Sequence, residues 1–234
     1  MAVAFDSQTE SHTGTTGASN VTSFNWTHTP SGTPRGILIF VFQAVDGSAN
    51  TDYITSVTYG GVNVPAVSGG LAVDTLTEPG LCKAFFLGSG IPTGAQSVVV
   101  NRTNTNTTVQ TYGIAIAVTA LCDTRVPTAS VVLAQENQTP TEVNVDDGSP
   151  GTNSVRFAGA YYGGATQTVG ANSTSVNQII FTTATCRAVR ETTAGQGSRP
   201  IGFAPVADDW AAVHLAVIET AITRQANHYA RARG

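Results

Sequence analysis

Charged side chains are scarce in this sequence: they make up 11% of its 234 residues, whereas an ordinary soluble domain carries about 25%. Lys83 is the only lysine, and the formal net charge is −4. Nucleic-acid binding through bulk positive charge is therefore excluded. The scarcity of lysine and glutamate also argues against long exposed helices, whose surfaces those residues normally fill.

Cysteine and long apolar runs are scarce as well. Cys82, Cys122 and Cys186 are the only cysteines and no two form a C-x-x-C pair, which argues against a disulfide framework and a zinc site and predicts buried or half-buried thiols. The longest apolar run, residues 37–42, is far below the roughly 20 residues of a membrane span. Residues 1–10 lack the basic start and apolar stretch of a signal peptide, so we expect synthesis in a cytoplasm.

Motifs for catalysis and nucleotide binding are also missing. The sequence contains neither the G-x-S-x-G nucleophile elbow nor the G-x-x-x-x-G-K-[ST] phosphate loop. The four histidines have no metal-ligand spacing; only His28 and His214, both on predicted strands, could be united by folding, and the alternative is two structural histidines. We therefore expect a protein that is not an enzyme and uses no cofactor.

Threonine, with 35 residues, and glycine, with 24, are abundant where charged residues are scarce. Threonine favours strands and glycine favours turns. The run RGILIFVFQAV at residues 35–45 predicts a central strand buried on both faces. In VTSFNWTHT at residues 21–29, Phe24, Trp26 and His28 share one face at a period of two. A turn at residues 30–34, with two prolines, predicts that these two strands form a hairpin.

The pair Gly60-Gly61 between alternating runs at residues 54–59 and 62–67 predicts a second hairpin. Residues 7–20 lack large apolar side chains and predict a loop or surface-hugging segment. Eight further runs predict strands at residues 81–87, 96–102, 112–121, 130–135, 154–162, 177–182, 185–191 and 210–220.

About a dozen strands with short turns predict an all-β fold, a two-sheet antiparallel sandwich of jelly-roll type. We expect strands to exceed about 40% of the chain, against a base rate of 20 to 25%. No change in composition marks a linker, so residues 1–220 are predicted to form a single β-sandwich domain.

Residues 221–234 form a basic C-terminal arm, since no acidic residue follows Glu219. We expect the arm to contact a neighbouring subunit, because guanidinium groups pair bidentately with carboxylates and a tyrosine supplies an apolar anchor. The alternative is a solvated tail. The candidate contact residues are Arg224, His228, Tyr229, Arg231 and Arg233.

Two further features have functional and structural explanations. The pairs Asp146-Asp147 and Asp208-Asp209 could lend oxygens to Ca²⁺, but aspartates are also ordinary turn residues. Tyr161 and Tyr162, before a glycine pair, are the candidate platform for a sugar ring. Strand alternation predicts that one of these tyrosines is buried and the other exposed.

The succession FNWTHT, RGILIFVFQA, ITSVTYGGVNVPAV, CKAFFLGSGIPTGAQSVVVNRT, YGIAIAVTALCD, SVRFAGAYYGG and WAAVHLAVIET resembles a group of β-sandwich proteins from tailed phages and prophages. The resemblance covers residues 19–221 and lies in turns and core positions. It implies a virion component, above all a capsid decoration (cement) protein on the outer capsid surface. Its implied partners are the major capsid protein and further copies of this chain.

Two other functions stay open from the sequence alone. A carbohydrate-binding tail, fibre or adhesion module would need a shallow groove with aromatic side chains beside Asp and Asn. A glycan hydrolase would need two carboxylates facing each other across a cleft.

Overall fold

The computed structural model describes residues 3–12, 17–45, 51–74, 80–103, 108–127, 132–135, 142–146, 153–164, 167–180, 184–193, 199–204 and 209–220. These residues contain no helix, and 68% of them lie in strands, which confirms the all-β class and the high strand content. In this part of the chain no helix is long and apolar enough to cross a membrane. The strands are β1 (Ala4–Glu10), β2 (Ser23–His28), β3 (Gly36–Val45), β4 (Ile54–Tyr59), β5 (Val62–Val64), β6 (Ala66–Asp74), β7 (Gly80–Leu87), β8 (Gln96–Arg102), β9 (Val109–Thr119), β10 (Thr124–Arg125), β11 (Val132–Gln135), β12 (Glu142–Val145), β13 (Ser154–Tyr162), β14 (Ser173–Ile180), β15 (Thr185–Glu191), β16 (Arg199–Gly202) and β17 (Trp210–Glu219).

The first nine strands form a jelly roll of two antiparallel sheets. The first inner sheet has the order β1-β9-β3-β7-β6, and the first outer sheet has the order β2-β8-β4-β5. The chain crosses between the sheets after β1, β2, β3, β5, β7 and β8, and β9 returns to lie between β1 and β3, as in an eight-stranded jelly roll with β6 added at one edge. The jelly-roll sandwich predicted from the sequence is thus confirmed.

The remaining strands repeat this topology. The second inner sheet has the order β10-β17-β13-β15-β14, with β11 also paired to β17, and the second outer sheet is β12-β16. Strand by strand, β10 and β11 correspond to β1, β12 to β2, β13 to β3, β14 to β6, β15 to β7, β16 to β8 and β17 to β9. The chain is therefore an internal duplication of one fold.

The two halves also correspond in register. Cys82 on β7 pairs with Phe42 on β3, and Cys186 on β15 pairs with Tyr161 on β13. Each cysteine begins a similar triplet, Cys-Lys-Ala in the first half and Cys-Arg-Ala in the second. This register assigns Lys83 and Arg187 as equivalent residues.

Within its described residues, the second half has no complete counterpart of the β4–β5 hairpin. Where β4 pairs with β8 in the first half, the second half has a single bridge between Val169 and Phe203, just beyond β16. No described strand takes the place of β5.

The two inner sheets pack face to face and enclose the central hydrophobic cluster. In this interface β3 lies against β13, while β6 lies against β11 and β14 against β1. β6 is equivalent to β14, and β11 is equivalent to β1. The contact of β6 with β11 therefore becomes the contact of β14 with β1 when the two halves are exchanged, so the halves are related by an approximate two-fold symmetry. Gly159 faces Phe40 across this interface, and a Cβ at residue 159 would lie 2.5 Å from the phenylalanine ring.

Each outer sheet covers the other face of its inner sheet, through a second and a third hydrophobic cluster. The sandwich thus stacks four sheets, more than the two expected. On β3, Leu38, Phe40 and Phe42 enter the central cluster, and Ile37, Ile39 and Val41 enter the cluster beneath the first outer sheet. The predicted burial of this strand on both faces is confirmed, as is the burial of Trp26.

Two local predictions need correction. Strands β2 and β3 do not form a hairpin, since β2 pairs with β8 and β3 with β7 and β9. The proline-rich segment at residues 30–34 instead carries the chain from the outer to the inner sheet. Residues 7–10, predicted as loop, belong to β1, which is half-buried along its whole length and so needs no apolar stripe.

The second hairpin is confirmed: β4 and β5 pair around Gly60 and Gly61, whose φ angles are +55° and +81°. Positive φ at both central residues is what a type I′ turn requires. β5 ends before Pro65, after which the chain crosses to the first inner sheet as β6.

Candidate functional site

The predicted contact residues Arg224, His228, Tyr229, Arg231 and Arg233 lie outside the described residues, so the role of the arm and its boundary at residue 220 stay predictions. Thr220, the last described residue, lines a groove of 480 Å³ between the edges of the two inner sheets. Ser68, Phe86 and Asp123 line the same groove. Any contact made by the arm therefore starts from this groove.

The two candidate histidines are in different layers. His28 is buried between the first inner and outer sheets, where its Nδ1 lies 2.9 Å from the Thr9 hydroxyl and its ring lies 6.1 Å from that of Tyr59. Burial lowers the pKa of His28 to about 4, and nearby Asp6 opposes this shift. His214 is buried in the second half beside Phe203, so the fold does not unite the histidines.

The tyrosine platform expected for a sugar ring is wrong. Tyr161 and Tyr162 are each 2% exposed: Tyr161 belongs to the central cluster and Tyr162 to the cluster beneath the second outer sheet. The two rings lie on opposite faces of β13, as strand alternation predicts. Both faces of this strand are covered, so neither ring is exposed. Described large hydrophobic side chains that are exposed are Val21, Val62, Leu121 and Ile180, none of them aromatic.

The acidic pairs are only half described, because Asp147 and Asp208 lie outside the described residues. Asp209 is 6% exposed, and its backbone carbonyl accepts a hydrogen bond from the Gly163 amide. Among the residues that the structure describes, no three His, Cys, Asp or Glu side chains are grouped so as to hold a metal ion.

The three cysteine thiols and Lys83, the only lysine, lie in environments that suit structural roles. Cys82 and Cys186 are buried and Cys122 is half-buried, as predicted. Burial raises the pKa values of Cys82 and Cys186 far above that of a free thiol, which keeps both thiols protonated and unreactive. Lys83 Nζ lies 2.6 Å from Asp52 Oδ2 in a largely buried ion pair.

The outer face of the first outer sheet is a surface that the sequence predictions did not single out. Every side chain that its four strands turn away from the core is uncharged. One row crosses all four strands as Asn25, Val99, Thr58 and Asn63, in ladder register. The outward residues of these strands are Ser23, Asn25, Thr27, Thr55, Ser56, Thr58, Asn63, Ser97, Val99 and Asn101.

Part of this face is held by its own hydrogen bonds. The Asn101 side-chain amide donates to the Ser56 hydroxyl at 2.9 Å, and inward-facing Val57, Val98 and Val100 anchor the same strands in the core. The alternation Asn25, Thr27 against Trp26, His28 was the available sequence signal. It identifies the outward side chains of β2 but not the strands beside them.

Comparison with protein-family models, with curated proteins and with solved structures finds no match to this chain. Any statement about its function therefore depends on its own residues and on the resemblance noted in the sequence.

Proposed function

We propose that this chain is a non-enzymatic structural protein of a virus particle, a capsid decoration protein that binds the outer surface of the shell and stabilises it. Its partners would be the major capsid protein and further copies of itself. The fold does not by itself imply this role. The observation that carries the proposal is the uncharged outer face of the first outer sheet.

Such a face suits a permanent contact with another protein. Burying an unpaired charge costs several kcal/mol, and the centres of protein interfaces are depleted in charged residues. Hydroxyl and amide groups can exchange their bonds to water for bonds to a partner. Because the face is fixed by a packed core before binding, little conformational entropy is lost on association.

The test is binding of the purified protein to assembled capsid shells that lack it, together with mass spectrometry of intact particles for the chain. The double variant Asn25→Lys/Thr58→Lys places two charges in the central row of the face. We expect it to bind shells at least tenfold more weakly than the native protein, since an uncompensated charge at an interface costs more than about 1.4 kcal/mol.

The matched control is Thr193→Lys, which adds a charge at an exposed site outside this sheet. We expect it to bind like the native protein. Failure of the native protein to bind any shell and its absence from particles would overturn the proposal. Equal binding by the double variant would remove this face from the contact.

A further inference from the structure

The incomplete second half leaves a polar site that its complete counterpart fills. In the first half, Lys83 on β7 projects toward the outer sheet, where its ammonium donates to Asp52 Oδ2 at 2.6 Å and to the Ile54 carbonyl at 2.9 Å. Asp52 and Ile54 lie at the beginning of the β4–β5 hairpin. The cation is thus neutralised by a carboxylate from that hairpin.

Arg187 is the equivalent residue of the second half, but it has no carboxylate partner. Its guanidinium donates to the Gln167 carbonyl and to the Gln178 side chain. The Gln167 carbonyl thus corresponds to that of Ile54. Arg187 forms no ion pair within the described residues.

Unused hydrogen-bonding groups surround this position. The Nε of Arg187 is buried without a partner, and both side-chain polar atoms of Gln167, which is 1% exposed, are also without partners. A buried amide or guanidinium group without a hydrogen-bond partner destabilises the fold, because its bonds to water are lost and not replaced. The Arg187 Nε and the Gln167 side-chain amide are two donors without acceptors, and the Arg187 guanidinium has no carboxylate partner among the residues that the structure describes. These groups together are suited to bind an incoming carboxylate.

The neighbouring surface is open and partly apolar. Ile180 pairs with Thr185 on the outward face of β14 and β15 and is 48% exposed. Its counterpart Val73 is half-buried and packs against the core beneath the first outer sheet. The missing hairpin therefore leaves an exposed aliphatic side chain beside a cation.

We propose that Arg187 and Gln167 form a carboxylate-binding site that receives an acidic, extended segment of another protein molecule, which lies where the second half lacks its hairpin. The carboxylate of that segment pairs with the Arg187 guanidinium and accepts from the Gln167 amide. Its apolar side chains cover Ile180. This site is far from the first outer sheet in the stack, and the inference does not depend on the proposed capsid contact.

The probe is a labelled peptide of residues 51–64 of this chain, which carries both the carboxylate of Asp52 and the hairpin that fills the equivalent place in the first half. Its control is the same peptide with Asp52→Asn. Both are titrated against the full chain and against the Arg187→Gln variant by fluorescence anisotropy. Arg35→Gln, at an exposed arginine elsewhere on the body, is the matched protein control.

We expect one native peptide to bind per chain, with at least tenfold weaker binding when either Asp52 or Arg187 is replaced and little further loss when both are. The Arg35→Gln variant should bind like the native chain. Circular dichroism and the melting temperature of Arg187→Gln establish that this variant is folded. If that variant is unfolded, Arg187→Lys, which keeps the charge, replaces it as the protein variant in the titrations. Arg187→Lys should still bind the native peptide more tightly than the Asp52→Asn peptide.

Three outcomes would overturn the proposal. Equal binding of the native peptide and its Asp52→Asn control would exclude a carboxylate site, and absence of peptide binding would exclude an extended segment as the occupant. Thermal stabilisation of the native chain by acetate alone, lost in Arg187→Gln and without peptide binding, would identify a small-anion site instead. Because no capsid is present, none of these results bears on shell binding.

Discussion

The buried ion pair Arg156–Glu191 can be tested against its apolar equivalent in the same molecule. Arg156 and Glu191 lie directly beyond the last paired residues, Phe157 and Arg190, of the β13–β15 ladder, and their equivalents Ile37 and Leu87 are paired on β3 and β7. Arg156 Nη1 lies 3.0 Å from Glu191 Oε2, and the two side chains are 0% and 2% exposed. The double variant Arg156→Ile/Glu191→Leu therefore installs the pair that the fold already uses in its first half.

The two single variants should be severely destabilised. Glu191→Leu leaves a buried guanidinium and Arg156→Ile leaves a buried carboxylate, and removal of one partner of such a pair typically costs about 3 to 5 kcal/mol. For a chain of this size, that lowers the melting temperature by roughly 6 to 20 °C.

The double variant removes both charges, and an apolar replacement of a buried ion pair is often neutral or stabilising by about 1 to 4 kcal/mol. Two other hydrogen bonds are lost with it. The Arg156 Nε donates to the Val145 carbonyl at 2.8 Å, and the Arg156 backbone N–H donates to Glu191 Oε1 at 2.9 Å. Orphaning these groups costs about 1 to 3 kcal/mol each. Together these figures place the double variant between about 2 kcal/mol more stable and about 6 kcal/mol less stable than the native chain, and so less destabilised than the two single variants added together.

The assay is urea unfolding monitored by tryptophan fluorescence, with the free energy of unfolding extrapolated to zero denaturant. Glu191→Gln, which keeps the shape of the side chain but not its charge, should be less destabilised than Glu191→Leu. The reasoning fails if the double variant loses as much stability as the two single variants together, because the halves would then not be interchangeable at this position.

Three further predictions concern the core, the buried histidine and the arm. Phe40→Ala should lower the free energy of unfolding by roughly 3 to 5 kcal/mol, and Gly159→Ala, which crowds the same ring, should lower it by about 1 to 3 kcal/mol. The double variant Phe40→Ala/Gly159→Ala should lose less stability than the sum of the two. As a control, Phe40→Ala combined with distant Val57→Ala should be additive to about 0.5 kcal/mol. The pKa of His28 lies at about 4 in the folded chain, below its unfolded value near 6.5, so unfolded chains bind more protons between these pH values. Stability measured by urea unfolding should therefore be full above pH 6.5 and fall by up to about 1.4 kcal/mol per pH unit down to pH 4; a His28→Gln variant with an unchanged slope would exclude His28 as the cause. A chain truncated after Glu219 should melt within a few degrees of the intact chain but bind shells much more weakly, and equal occupancy in competition would remove the arm from the contact.

Local structure was largely predictable because strand formation depends on patterns within a few residues. Four strands, β4, β8, β13 and β15, have the bounds expected from their alternating or continuous apolar runs. β10, β12 and β16 were missed: runs of two to four residues leave little length for a periodic pattern, and Pro200 and Gly202 in β16 are typical of turns.

Strand pairing was not predictable from the same patterns. Alternation at Phe24, Trp26 and His28 identifies the buried face of β2, but it contains no information on the sheet to which that face belongs. The nearest strand in sequence, β3, was therefore taken as its partner. The prediction for Tyr162 failed for a related reason: a strand covered on both faces has no outward side, and the covering strands β12 and β16 were among those missed.

One sequence feature indicates the repeated topology: the similar triplets that begin at Cys82 and Cys186. Elsewhere most equivalent residues share burial but not identity, Ala117 with Ala216 and Val118 with Val217 being exceptions, and at some positions complementary shapes replace similar ones. Phe40 and Gly159 are the clearest example, since the ring of the first residue occupies the space left by the second.

This mutual packing determines which surfaces remain available for partners. Each half buries one face of its inner sheet in the other half, so the two outer sheets lie at opposite ends of a four-layer stack, about 30 Å apart at about 10 Å per layer. The outward side chains of the first end are uncharged; the second end carries Arg187, which is hydrogen-bonded but has no ion-pair partner within the described residues. Since the surfaces share no residues, binding at one need not perturb the other. A molecule with these two ends can connect a neutral partner surface to an acidic one, and the lysine variants of Asn25 and Thr58 should leave peptide binding at Arg187 unchanged.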